Sequence, residues 1–220
     1  AYPQNGNRES ANEVMAEAAS LSPSQAKLDE ATRLFVQGKF REAEELAKEL
    51  VRENPQDVNA ALLLARLAIK ARCFKGAREL LEKIIEVAPG FVAAWHDLGT
   101  VLKELHLHEE AVGVLREAVD IDVSNALTHY YLGAALAMAA KPHEAVESYQ
   151  RAVELDPMLP GGHIGLGHVL KTVGNQSAGI EAYKRAIELR PNYGETYYSL
   201  ANLKTFRFSE EEISNMEARL

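Results

Sequence analysis

Four prolines, Pro55, Pro89, Pro157 and Pro191, stand 34, 68 and 34 residues apart, and Val123 fills the midpoint of the long gap. A period in this range marks a stack of supersecondary units, each unable to bury its apolar face alone. On that ruler the chain divides into 24–57, 58–91, 92–125, 126–159 and 160–193, with a partial sixth unit over 194–208. The columns agree. The seventh and eighth places read Leu64-Ala65, Leu98-Gly99, Leu132-Gly133, Leu166-Gly167 and Leu200-Ala201, a large residue followed by a small one. The twentieth place reads Ala43, Ala77, Ala111, Ala145 and Gly179, and the twenty-seventh Leu50, Ile84, Ala118, Ala152 and Ala186. Small side chains at fixed places allow neighbouring backbones to approach.

Within a unit the apolar spacing is helical. Trp95, Leu98, Leu102 and Leu105 form one stripe, and Ala111, Val114, Leu115 and Ala118 a second. Each unit is therefore two amphipathic helices joined by a short turn, for which Gly38 and Gly174 supply permissive backbone, and the prolines close the second helix. The expected fold is all-helical, an α-solenoid with its array over 22–206. Ser22-Pro23-Ser24-Gln25 reads as a helix entry with a capping box. In the preceding extension, 1–21, the spacing of Val14, Ala18 and Leu21 predicts a short amphipathic helix available for self-association. A second capping box at Ser209 and Glu212 predicts a C-terminal helix within 209–220.

These columns resemble the tetratricopeptide repeat (TPR), whose pattern places an aromatic, Leu-Gly, an aromatic, Ala, an aromatic, Ala and Pro over 34 residues. Departures are local: Val123 for proline, Gly179 for alanine, His129 and His163 at an aromatic place, and a weak first unit with Lys27 and Glu30 in core-type places. The resemblance implies that the solenoid is right-handed and is a protein-interaction scaffold whose first helices line a concave groove. Carried over by register, the groove candidates are Leu62, Arg66, Ile69, Lys70, His96, Lys103, Tyr130, Met138, Ile164, His168, Lys171, Tyr198 and Asn202. Phe206 falls on the same face of the sixth unit. Such a mixed apolar and cationic set suits an amphipathic helix or an extended apolar peptide. The family's carboxylate clamp for chaperone tails is not matched, because its places hold Leu28, Thr32, Arg66, Ala93 and Asp97.

Charge excludes other classes. With 24 Lys plus Arg against 32 Asp plus Glu, the net charge is −8, which repels nucleic acid and anionic lipid. No stretch reads as a membrane span. Cys73 is the one cysteine and cannot form an internal disulfide, so a reducing, cytoplasmic setting is expected. The string Gly161-Gly162-His163-Ile164-Gly165-Leu166-Gly167-His168 has phosphate-loop glycine spacing, but His168 stands where the lysine belongs and no strand precedes it. The seven histidines lack metal-ligand spacing, and no nucleophile elbow is present. No catalytic residue, metal or cofactor is expected in this chain. The segment Ala201–Ile213, ANLKTFRFSEEEI, resembles the exit from the repeats in bacterial proteins where a TPR array precedes a sulfotransferase domain. That resemblance implies an alternative: a non-catalytic arm of a longer enzyme using the sulfate donor PAPS.

Overall fold

The computed structural model describes residues 22–203, 206–210 and 213. The helix expected from Val14, Ala18 and Leu21 lies outside the described residues, as do Lys204, Thr205 and most of the C-terminal segment. Among the described residues the fold is all-helical, with eleven helices: α1 (Pro23–Val36), α2 (Phe40–Glu53), α3 (Val58–Lys70), α4 (Phe74–Val87), α5 (Val92–Glu104), α6 (His108–Ile121), α7 (Ala126–Met138), α8 (Pro142–Leu155), α9 (Pro160–Thr172), α10 (Gln176–Leu189) and α11 (Gly194–Ala201). The first helices α3, α5, α7, α9 and α11 begin 34 residues apart, and so do the second helices α2, α4, α6, α8 and α10. Only α1 is out of step, starting one place early with Pro23 in its first turn.

The turn inside each pair obeys one backbone rule. Gly38, Arg72, His106, Ala140 and Gly174 occupy the same column, and all five have positive φ, between 58° and 87°. The next residue's N–H reaches back to the first helix: Lys39 to Leu34, Cys73 to Ala68, Leu107 to Leu102, Lys141 to Leu136 and Asn175 to Leu170, at 2.8–2.9 Å. This is a Schellman closure, which satisfies orphan carbonyls at a helix end. Glycine was legible in two of these turns; the other three carry side chains in the left-handed region, at a cost of about 1–2 kcal/mol each.

The turn between pairs follows a second rule. Asn54, Ala88, Asp122, Asp156 and Arg190 cap the second helices with φ between −133° and −144° and ψ between 74° and 94°. Proline in the next position favours such an extended residue. Where Val123 replaces proline, the Asp122 Oδ1 accepts from the Ser124 N–H at 3.0 Å, as Asn54 and Asp156 do from Gln56 and Met158 beside their prolines, and also from the Ser124 hydroxyl at 2.7 Å. Those bonds hold the Asp122 carboxyl below its ordinary range. The same column explains the two histidines. His129 Nε2–H donates to the Val123 carbonyl and His163 Nε2–H to the Pro157 carbonyl, both at 3.0 Å. In the first repeat Lys27 takes this place and reaches Glu49 at 2.9 Å and Glu53 at 2.8 Å on α2, so its ammonium is paired.

The chain forms two compact units that divide between Ala94 and Trp95. In the first, α1 packs on α2, α2 on α3, α3 on α4, and α1 also touches α3. Its core is Leu28, Ala31, Leu34, Ala43, Ala47, Leu50, Ala60, Leu63 and Leu67. In the second, each helix from α6 to α10 packs on the next, while first helices α7 and α9 meet directly. The small-residue columns are buried, from Ala43 and Ala77 to Ala111 and Ala145, except at Ala201 in the partial sixth unit.

Two expectations at the ends need correction. Gln25 N–H donates to the Ser22 hydroxyl, but the Gln25 side chain turns to Asp29 rather than back to the cap, so half of the box forms. The sixth first helix is short, and after it Leu203 joins Tyr183 and Leu200 in a core against which Ile180, Ile187, Phe206 and Phe208 pack. Phe206 is thus half-buried against this core, with the Lys184 ammonium over its ring, rather than openly presented on the groove face.

Candidate functional site

The column pairing of small against large residues builds the site. The eighth place of each first helix faces the twenty-fourth place of the following second helix, and the sizes compensate. A Cβ added at Gly99 would sit 2.8 Å from Leu115, one at Gly133 would sit 2.9 Å from Tyr149, and one at Gly167 would sit 2.7 Å from Tyr183. Glycine is needed there because the ring or branched side chain rests on bare backbone. On α9 this extends to a whole string. Gly161 receives the Tyr130 ring, Gly162 the Val153 side chain and Gly165 the Tyr149 ring, whose oxygen would lie 2.9 Å from an added Cβ and whose Cε1 and Cζ would lie closer still. The glycines that resembled a phosphate loop are seats for side chains.

The seated tyrosines open a cleft in the second unit. It encloses about 280 Å³ and is lined by Tyr130 of α7, Tyr149 of α8, Pro160, Gly161, Ile164, Gly165 and His168 of α9, and Arg190 and Tyr193 of the turn before α11. Tyr130 and Tyr149 have ring centroids 6.0 Å apart, and the Arg190 guanidinium lies 5.0 Å from the centre of the Tyr193 ring. The Tyr193 hydroxyl donates to Glu195 at 2.5 Å, which lifts its pKa. On the far side of Tyr130 is a smaller recess of about 60 Å³, lined by Gly99, Thr100, Lys103, Leu115, Tyr131, Ala134 and Ala135. The Tyr130 ring is thus the wall between two depressions.

Burial sets the protonation states. It pushes the Tyr149 hydroxyl well above its ordinary range, with the neighbouring Tyr130 adding to the effect. It lifts Tyr183 to about 12. His168, joined through Nδ1 to the Tyr183 hydroxyl at 2.8 Å, is driven down first by burial and also by Lys171, against an opposing pull from Glu195. The cleft therefore holds the neutral Tyr149 phenol and a ring biased towards neutral imidazole.

The groove candidates divide between the units. In the first, Leu62 is buried, Ile69 half-buried, and Arg66 and Lys70 exposed. In the second, the structure brings Tyr130, Ile164 and His168 into one cleft and sets Lys103 behind Tyr130. Lys171, Met138, Tyr198 and Asn202 are exposed, with Met138 at 48% and Tyr198 at 69%. His96 is buried: its Nε2 bonds the Thr128 hydroxyl at 2.7 Å and its ring lies 4.8 Å from that of Tyr131. Sequence register missed Tyr149, Arg190 and Tyr193. Tyr149 is a second-helix core residue, and the one signal of its reach into the cleft is Gly165, standing where the second, third and fourth units carry Leu63, Asp97 and Tyr131. No helix among the described residues is long and apolar enough to cross a membrane.

Three family models, each for the tetratricopeptide repeat, match residues 34–102, 126–158 and 162–193. No curated protein matches by sequence. Solved structures share the fold at low identity. A thermophilic TPR protein of Thermus thermophilus is 22% identical, with TM-score 0.69 over 80% of this chain and 95% of its own. MamA of Desulfovibrio magneticus RS-1, from residue 41 to its end, is 22% identical, with TM-score 0.65 over 77% and 96%. YrrB, a TPR protein with an unusual peptide-binding site, is 18% identical, with TM-score 0.61 over 86% and 96%.

Proposed function

We propose that this chain, which belongs to the tetratricopeptide repeat family through matched segments that together span more than half of it, is a scaffold that holds a peptide segment of another protein against the first helices of its second unit. One observation carries the reading: the cleft beside Tyr130, where three side chains placed on the groove by register, Tyr130, Ile164 and His168, converge. Neighbour packing and the Schellman turns fix these helices beforehand, so little ordering entropy is lost on binding. Exposed Met138 and Tyr198 extend the apolar surface along the same helix type, with Lys171 at its edge. The peptide-binding site of YrrB supports the class of ligand.

The test begins with a displayed peptide library selected on the full chain. Selected peptides are then titrated against Tyr130→Ala/Met138→Ala, with circular dichroism to check that the helices persist. Weaker binding by a folded double variant is expected; equal binding would move the site elsewhere. The enzymatic alternative, in which the chain is the non-catalytic arm of a PAPS-dependent sulfotransferase, keeps the same groove and is tested by reading the parent gene past Leu220 for a strand, phosphate loop and helix.

A further inference from the structure

The cleft between α7, α8 and α9 combines aromatic faces with hydrogen-bond donors that await an acceptor. Among the described residues, the hydroxyls of Tyr130 and Tyr149 and the guanidinium of Arg190 have no hydrogen-bond or ion-pair partner, yet all three groups line the same space. The nearby carboxylate of Glu195 already accepts from Tyr193. Burial keeps the Tyr149 hydroxyl neutral, so it donates at any physiological pH. The remaining walls are the rings of Tyr130, Tyr193 and His168, the last held through Nδ1 to the Tyr183 hydroxyl, with Pro160 and Ile164 beside them. At about 280 Å³ the space takes a few residues rather than a folded surface.

We infer that this cleft, as the recognition point of the scaffold proposed above and resting on that reading, binds a proline-rich segment in the left-handed polyproline conformation. A proline carbonyl is an acceptor, and proline has no N–H, so such a segment presents what the three donors lack and nothing they would leave unpaired. Its flat rings pack on aromatic faces, and its conformation is largely formed before binding. A bound helix has already spent its carbonyls internally and leaves the donors unmet. An ordinary extended strand must be ordered as it docks, a cost that a segment already in the polyproline form largely avoids. An acidic segment could satisfy Arg190 but must approach a chain of net charge −8, whereas a proline tract is neutral.

The test uses the full chain and three fluorescent probes of equal length: an oligoproline, an acidic Glu/Ser peptide and an amphipathic helical peptide, followed by anisotropy. Saturable binding of the oligoproline is expected, little changed by salt. Tyr149→Phe keeps the ring seated between Gly133 and Gly165 and removes one donor, so it weakens that binding by roughly fivefold. Tyr130→Ala weakens it further, and both variants keep wild-type circular dichroism. If the acidic or helical probe binds with this variant sensitivity and the oligoproline does not, the proline inference is overturned while the scaffold reading stands. If none of the three binds in a variant-sensitive way, the inference fails, and the library selection described above separately decides the scaffold reading.

Discussion

Adding one methyl group at Gly165 and at Gly113 should move stability in opposite directions. Gly113 lies exposed in α6 with nothing within 4 Å of an added Cβ. Alanine there gains the ordinary helix preference, about 1 kcal/mol. Gly165 gains the same preference, but its Cβ would fall less than 3 Å from three atoms of Tyr149, where carbon atoms rest at about 3.5–4.0 Å. The ring must retreat by about 1 Å. It cannot do so freely, because its other edge lies on Gly133 and the residue is only 5% exposed. Overpacking of this kind costs about 1–3 kcal/mol, and the upper half of that range applies where both faces of a ring are blocked. The net for Gly165→Ala is a loss of about 1–2 kcal/mol, against a gain of about 1 kcal/mol for Gly113→Ala. At about 2–4 °C per kcal/mol for a chain of this size, thermal melts should separate the two variants by about 4–12 °C. The assay is a melt followed by circular dichroism at the helix band. A Gly165→Ala protein as stable as Gly113→Ala would refute the claim that the α9 glycines exist to seat tyrosines.

The turns and the buried polar groups give three further outcomes. Ala140→Gly relieves a left-handed residue at φ 58° and should stabilise the chain by about 0.5–1 kcal/mol once glycine's greater unfolded freedom is subtracted; an unchanged urea midpoint contradicts this. Thr128→Val keeps the shape of a fully buried residue but removes the hydroxyl bonded to His96, costing about 1–3 kcal/mol in a denaturation curve. His168 has a folded pKa below its unfolded value, so the unfolded chain binds more protons in that interval and stability rises with pH. The contribution is present above the unfolded value, about 6.5, and is lost as pH falls through the folded one. Melts at about pH 7.5 and about pH 5.5, on either side of that value, should therefore differ less in His168→Gln than in the wild type.

Much of the fold is legible in the sequence because each repeat states it again. The starts of the helices from α2 onwards, the buried alanine columns and the closing prolines all follow from the 34-residue ruler. Where the residue type changes but the backbone does not, the signal fades: Arg72, His106 and Ala140 adopt the turn geometry that only Gly38 and Gly174 advertise. The turn at Val123 keeps the extended backbone of its neighbours without a proline, and the Ser124 hydroxyl bond to Asp122 that sets it apart is visible only once distances are known. The site was partly legible. Register named Tyr130, Ile164 and His168, and these three line one cleft, since first-helix places recur. It also placed His96 there, although Thr128 and Tyr131 draw that ring inward. Tyr149 could not be found by register, because its access to the cleft depends on two glycines of neighbouring helices. Arg190 and Tyr193 sit in a turn, where the helical period carries no information about facing.

If the first helices of the second unit carry the binding surface, amide hydrogen exchange on the full chain, with and without a peptide selected on it, will show it most directly. Added protection is predicted in α7 and α9 and in the turn holding Arg190 and Tyr193, with the exposed faces of α6, α8 and α10 unchanged. Protection confined to those second helices, or spread evenly over both helix types, would contradict the account.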